Sequence, residues 1–173
     1  MKIFKLTVFL AIIAGLSAGA LSYVYGMTNP VIVAQKAAEE KKQLQAMYND
    51  GETFTKYTEG LSKYNLIESC YKAELNGETK GFVYKISTPG YGGDIVYLIA
   101  LDASGVYKSY QVIDVSTETS GFGSRVATDE MKNNIVNKKI GDQVDTLSGA
   151  TISSTAVVKG ISQATAHYKA YFK

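Results

Sequence analysis

Residues 69–87, SCYKAELNGETKGFVYKIS, decide the fold class. Ser69–Leu75 reads as one strand and Gly81–Ser87 as its partner, whose side chains alternate in character. Asn76-Gly77 between them supplies the positive φ that a tight hairpin turn demands. Toward the C-terminus, Thr88–Gly93 reads as a loop. Asp94–Leu101 and Val106–Val115 are two further strands, joined near Ala103-Ser104-Gly105. Toward the N-terminus, the mixed pattern between Phe54 and Ile67 supports only short strands. Thr128–Val136 reads as a short helix with Thr128 as its cap. Ser153–Phe172 reads as a terminal helix with Val157, Val158, Ile161, Ala164, Tyr168 and Tyr171 on its apolar side. Strands cluster together and helices stand apart from them. That segregation predicts an α+β domain with a mostly antiparallel sheet and flanking helices.

The first third of the chain obeys different rules. From Leu6 to Gln35 there is no charged side chain, and Leu6–Met27 is long and apolar enough to cross a bilayer as a helix. Lys2 and Lys5 precede it, and no further cation appears until Lys36. The positive-inside rule then puts residues 1–5 in the cytoplasm, 6–27 in the membrane and the rest outside. Small residues at Ser17-Ala18-Gly19-Ala20 leave a cleaved signal peptide as the alternative. Against it stand the length of the apolar run and Tyr23 and Tyr25, which suit a membrane–water interface. No cysteine ends the run, so no lipoprotein anchor is expected. Gly15 and Gly19 lie on one helical face with Ala11 and Ser22, a spacing that permits close helix packing and is also common in membrane helices generally. Thr28-Asn29-Pro30 reads as a helix start, with a cap residue followed by Pro in the first turn. A stalk helix is expected over 28–50, with apolar Val33, Ala37, Leu44 and Met47, ending at Asn49-Asp50-Gly51. Residues 51–173 form the folded domain.

Charge and composition exclude several functions. Apart from Lys2 and Lys5, basic and acidic residues balance, and Arg125 is the single arginine. That is not the footprint of a nucleic-acid binder. One cysteine (Cys70) and one histidine (His167) cannot build a disulfide framework or a Cys/His metal centre. Cys70 is read as a small buried side chain and His167 as a surface or packing residue. There is no nucleophile–base pair with a supporting pattern, which argues against a hydrolase.

Three segments carry residues suited to ligand chemistry, and all three fall on loops. In Pro89-Gly90-Tyr91-Gly92-Gly93-Asp94, glycines allow close backbone approach and Tyr91 can lie against a planar ring. In Glu118-Thr119-Ser120-Gly121-Phe122-Gly123-Ser124-Arg125, Glu118 and Thr119 offer hydrogen bonds, and Arg125 can meet a phosphate or carboxylate. Asp145-Thr146-Leu147-Ser148-Gly149-Ala150-Thr151 is a short turn that delivers a threonine hydroxyl to a helix start. Unpaired first-turn amides and the helix dipole favour an anion there. The plainer reading of each is a connecting turn, a mobile loop and a helix cap.

Taken in order, Gly-Tyr-Gly-Gly after a strand, Glu-Thr-x-Gly-x-Gly, and D-x-x-S-G-A-T-x-S-S before a final helix resemble the FMN-binding G subunit of Rnf electron transport complexes. The related C subunit of the Na+-translocating NADH:quinone reductase shares the S-G-A-T motif. The resemblance extends to the preceding apolar helix and the Asn-Pro stalk, and so covers nearly the whole chain. It implies covalent FMN, held by a phosphoester on Thr151. Ser148, Gly149, Ala150, Asp145, Tyr91, Gly92, Gly93, Glu118 and Thr119 match the motif positions around it. It implies a flavin transferase that uses FAD and Mg2+ and releases AMP, with Asp145 either recognised by that enzyme or orienting the hydroxyl. It further implies membrane and redox partner subunits in a complex coupling ferredoxin and NAD+ to ion movement. The chain departs from the family's Glu-Thr-Pro-Gly-Leu-Gly loop at Ser120 and Phe122. The corresponding quinone reductase component, a stand-alone extracytoplasmic flavin carrier and a non-redox binding module are the alternatives.

Overall fold

The computed structural model describes residues 2–48 and 53–172. Element order is α1 (Lys2–Met47), β1 (Thr53–Tyr57), a 3-10 turn (Leu61–Lys63), β2 (Ile67–Leu75), β3 (Glu78–Pro89), β4 (Asp94–Asp102), β5 (Tyr107–Asp114), a second 3-10 turn (Gly123–Ala127), α2 (Asp129–Ile135) and α3 (Thr151–Tyr171). The chain divides into two compact units, Met1–Lys42 and Gln43–Lys173.

The described residues of the first unit are all helix. Its large apolar side chains, among them Leu6, Phe9, Leu16, Leu21 and Val24, stand exposed. So much exposed apolar surface is unfavourable in water and natural in a bilayer. The expected helix start at Thr28-Asn29-Pro30 is not found: α1 continues through Pro30. Pro30 has no N–H to offer the carbonyl four residues back. Thr28 caps nothing, and its hydroxyl instead donates to the Val24 carbonyl within the helix. The expected stop at Asn49-Asp50-Gly51 lies outside the described residues.

In the second unit, β1 to β5 form an antiparallel meander in sequence order. Register explains how one sheet serves two cores. Phe82, Tyr84 and Ile86 of β3 pair with Leu101, Ile99 and Tyr97 of β4, and all six point to the face covered by α3 and α2. Val83 pairs with Ala100 on the opposite face, where Leu98, Tyr71 and Ala73 meet Leu44, Met47 and Tyr48. Covering both faces makes β4 an almost wholly buried strand. The Tyr48 hydroxyl donates to the Lys80 carbonyl at 2.5 Å. These contacts lie within the second compact unit, Gln43–Lys173.

Helix α3 buries Val157, Ile161, Ala164 and Tyr168 against the sheet. Each large buried aliphatic side chain contributes roughly 1.5–3 kcal/mol. Gly160 is where helix and sheet touch: a Cβ there would fall on the Tyr97 hydroxyl and the Ile86 and Thr88 side chains. The Tyr97 hydroxyl is fixed by donating to the Val157 carbonyl at 2.7 Å. At the helix's other end His167 is fully buried. Its Nε2 bonds the Glu59 carbonyl at 2.9 Å, which requires a proton on that nitrogen. Nδ1 then accepts the Tyr84 hydroxyl at 3.0 Å. Burial pushes the imidazole below its ordinary value, against the opposing pull of the Glu59 carbonyl. Cys70 is likewise buried, and its thiol is pushed up to about 12 by burial.

Two outcomes follow for thermal unfolding of the full chain in detergent. Gly160→Ala gains about 1 kcal/mol of helix propensity. It loses more to the clash, since overpacking costs about 1–3 kcal/mol and all three neighbours are buried. A net lower melting temperature is expected, and an unchanged or higher one refutes the contact. For His167, the unfolded chain takes up a proton near pH 6.5 while the native imidazole resists it. Its stabilisation is complete above that value and declines as pH falls from there through the depressed native value. His167→Gln should melt lower than the parent at pH 7.5 and show a smaller further drop at pH 5.

Candidate functional site

The three loops singled out by sequence meet at one cleft of about 440 Å³, lined by Tyr91, Thr119, Phe122, Gly123 and the segment 149–153. That size falls within the roughly 300–1,000 Å³ of small-molecule sites.

Its floor is the start of α3. Gly149 adopts φ +79°, a conformation that an L side chain rarely takes, and turns the chain into the helix. The Ala150 amide closes the turn on the Leu147 carbonyl at 3.0 Å. Arg125 braces the turn from outside: Nη1 donates to the Ser148 carbonyl and Nη2 pairs with Glu130, both at 2.6 Å. The Ser154 hydroxyl accepts the Leu147 amide at 3.0 Å and donates to the Ala150 carbonyl at 2.8 Å. Ala150 occupies the N-cap, with no capping side chain and no acidic residue in the first turn. The leading amides of a 21-residue helix therefore lack the usual side-chain acceptor, the arrangement that favours an anionic ligand. Thr151 is exposed, and among the described residues its hydroxyl has no hydrogen-bond partner.

Its walls are aromatic and apolar. Tyr91, Phe122 and Ile152 are 69 %, 61 % and 58 % exposed, although they line a cavity. Behind them lies Glu118, 7 % exposed. Its Oε1 accepts the Tyr91 and Gly92 amides at 2.7 and 3.1 Å, and its Oε2 accepts the Ser153 hydroxyl at 2.7 Å.

The structure thus gathers Tyr91, Thr119, Gly149, Ala150 and Thr151 around the cleft. Glu118 stands behind the wall. Gly92 and Gly93 pack against Thr117, where a Cβ on either would collide. Ser148 contributes its carbonyl to Arg125. Asp145 lies outside the lining, exposed, with Gln143 Nε2 at 3.2 Å and Lys138 Nζ at 4.0 Å. Arg125, read from sequence as a partner for a ligand's phosphate or carboxylate, is paired with Glu130 and does not line the cleft. Reading the sequence missed Gly123, Ile152 and Ser153 as site residues and noted Phe122 only as a departure. An apolar Ile152 beside Thr151, off the buried face of the helix, was the available signal. Among the described residues no group of His, Cys, Asp or Glu could hold a metal ion.

Residues 90–166 match the FMN-binding domain family, a span that contains every residue of the cleft. Among curated proteins, the chain is 27 % identical to the G subunit of the proton-translocating ferredoxin:NAD(+) oxidoreductase complex of Clostridium ljungdahlii, over 94 % of this chain and 90 % of that one. It is 27 % identical to the G subunit of an ion-translocating oxidoreductase complex of Methanosarcina acetivorans, over 94 % and 93 %. The corresponding protein of Stutzerimonas stutzeri is 32 % identical, over 69 % of this chain and 58 % of that one. Among solved structures, NqrC of Shewanella oneidensis shares the fold, with a TM-score of 0.51 at 16 % identity over 73 % of this chain and 71 % of that one. The chain is thus similar over most of its length to G subunits of ion-translocating oxidoreductase complexes, and its residues 90–166 match the FMN-binding domain family.

Proposed function

We propose that this chain is a membrane-anchored covalent flavoprotein, which carries FMN as a phosphoester on Thr151 and relays electrons within an ion-translocating ferredoxin:NAD+ oxidoreductase complex. The observation that carries the reading is the uncapped start of α3. An exposed, unpartnered threonine hydroxyl stands there beside first-turn amides that no side chain caps. Those amides and the helix dipole suit a phosphate, and the glycine turn leaves space for it. Tyr91, Phe122 and Ile152 offer flat and apolar surface to a ring system.

Attachment is a phosphoryl transfer from FAD, carried out by a flavin transferase. The Thr151 oxygen forms a bond to the FMN phosphorus, the bond to AMP breaks, and the hydroxyl proton passes to a base on the transferase. Positioning and charge neutralisation supply the catalysis, so this chain need only present the hydroxyl. Asp145, exposed on the approach to the turn, fits a role in recognition by that enzyme better than one inside the cleft. The bound flavin supplies the electron chemistry, and the protein holds and tunes it. Other components of the complex donate and accept the electrons and move the ion. Residues 6–27 contain no charged side chain that could serve an ion path.

Co-expression with a flavin transferase should give a fluorescent band on a denaturing gel and a mass increase on the Thr151 peptide. Thr151→Ala should reduce both to background while stability stays within about 1 kcal/mol of wild type, as expected for an exposed site. Fluorescence that survives the substitution moves the linkage elsewhere. For topology, the N-terminus is cytoplasmic and residues 28–173 lie outside the membrane on the far side. A C-terminal alkaline phosphatase fusion should be active and a C-terminal green fluorescent protein fusion dark, and the reverse pattern inverts the assignment.

A further inference from the structure

We infer that Glu118 is a positioning residue for the flavin rather than one of its ligands: its buried carboxylate ties the first two loops of the cleft to the first turn of α3, and its charge, unmatched by any cation among the described residues, holds the flavin's reduction potential down. This rests on the cleft being the flavin site.

The clamp is read from the contacts. Both carboxylate oxygens are used: Oε1 by the amides of Tyr91 and Gly92, Oε2 by the hydroxyl of Ser153. Tyr91 belongs to the first loop, Glu118 to the second and Ser153 to the first turn of α3, two residues after Thr151. Two glycines make room for this arrangement. A Cβ on Gly90 would fall on Oε1, and one on Gly123 would fall on Oε2. With its oxygens taken up by two amides and a serine hydroxyl and only 7 % of its surface exposed, the side chain is shut off from a ligand in the cleft. Three donors aimed at one buried group fix it strongly, because hydrogen bonds to a carboxylate are worth more than those between neutral groups.

The charge is a separate matter. Among the described residues no Lys, Arg or His forms an ion pair with Glu118. The single arginine is committed to Glu130 and the Ser148 carbonyl. A glutamine could accept the same two amides, so what the carboxylate adds is negative charge behind residues that line the cleft. Reduction of the flavin takes up two electrons and one proton, which leaves one more negative charge on the ring. A fixed anion in a water-poor wall opposes that change and favours the oxidised form.

The test uses the full chain in detergent, flavinylated by a co-expressed transferase. Glu118→Gln removes the charge and keeps an acceptor for Tyr91 and Gly92. Its two-electron midpoint potential, measured per bound flavin, should rise by an amount equal to about a tenfold shift toward the reduced form, about 30 mV. A potential that stays or falls overturns the electrostatic role. Glu118→Ala removes the clamp. In flavin-free protein, hydrogen exchange of the Tyr91 and Gly92 amides should accelerate at least tenfold while β3 and β4 keep their protection, and Glu118→Gln should restore most of the protection. Unchanged exchange in the alanine variant overturns the clamp. Should Glu118→Ala fail to fold, the wild-type protein decides: strong protection of the Tyr91 and Gly92 amides supports the clamp, and exchange at the rate of a free turn sinks it. A wild-type chain that takes no flavin refutes the reading of the cleft, while the exchange arm, which needs no flavin, still decides the clamp.

Discussion

Gly160 lets α3 rest directly on the inner face of β3 and β4, and the position of Thr151 follows from that contact. Tyr97, Ile86 and Thr88 occupy the space that any larger residue at 160 would need. The Tyr97 hydroxyl reaches past the glycine to the Val157 carbonyl, so helix and sheet are fixed along the axis as well as in depth. Nine residues upstream, about 13–14 Å at 1.5 Å per residue, the helix begins at Thr151. An α-helix is stiff over that length. A hydroxyl at its first residue is therefore positioned by the core and not by the loops around it. This suits the role proposed for Thr151, presentation to a flavin transferase followed by attachment of the flavin.

The loops have the opposite problem. They must be ordered without a core of their own, since Tyr91, Phe122 and Ile152 point outward. Backbone-to-carboxylate bonds from Glu118 order the first two, and Arg125 orders the third through the Ser148 carbonyl. The two devices differ in kind. Arg125 is half-exposed, and its ion pair with Glu130 is of the class worth about 0–1 kcal/mol. Glu118 is buried, so loss of any of its donors leaves an unsatisfied charge. The cleft's shape therefore depends mainly on a residue that does not line it.

That distinction marks the limit of what the sequence discloses. The β2–β3 hairpin was legible because the alternating residues of 81–87 and an Asn-Gly turn leave few other structures open, and β4 because its apolar run is continuous. Strand β1, TFTKY, was legible only as a short strand without bounds somewhere in 54–67, because an exposed five-residue edge strand buries too little to show a pattern. Thr28-Asn29-Pro30 misled for a physical reason: proline is welcome in a helix's first turn and tolerated in a membrane-type helix, so local residues alone cannot separate a start from a passage. The three site loops were each legible as loops, and the S-G-A-T turn as a helix entry. Sequence could not say that Glu118 faces inward. An acidic residue beside glycines reads equally as a ligand group or as an acceptor for neighbouring amides. Only the fold, by bringing residue 91 against residue 118, decides between them.

A helix start without its own cap is a small liability in most proteins, since four amides go without intrahelical partners. Here the alternatives were close at hand. Ser148 is three residues before Thr151, yet its carbonyl is turned to Arg125; Ser153 and Ser154 lie within the first turn, yet their hydroxyls serve Glu118 and the Leu147–Ala150 turn. Both of those serine hydroxyls are directed at the protein itself, and the N-cap position is filled by alanine, a poor cap. The local sequence gives up about 1 kcal/mol of capping energy and leaves the amides and the Thr151 hydroxyl facing a cleft. On the proposed reading, a phosphate on Thr151 supplies the missing acceptor, so attaching the flavin completes the helix as well as loading the cofactor.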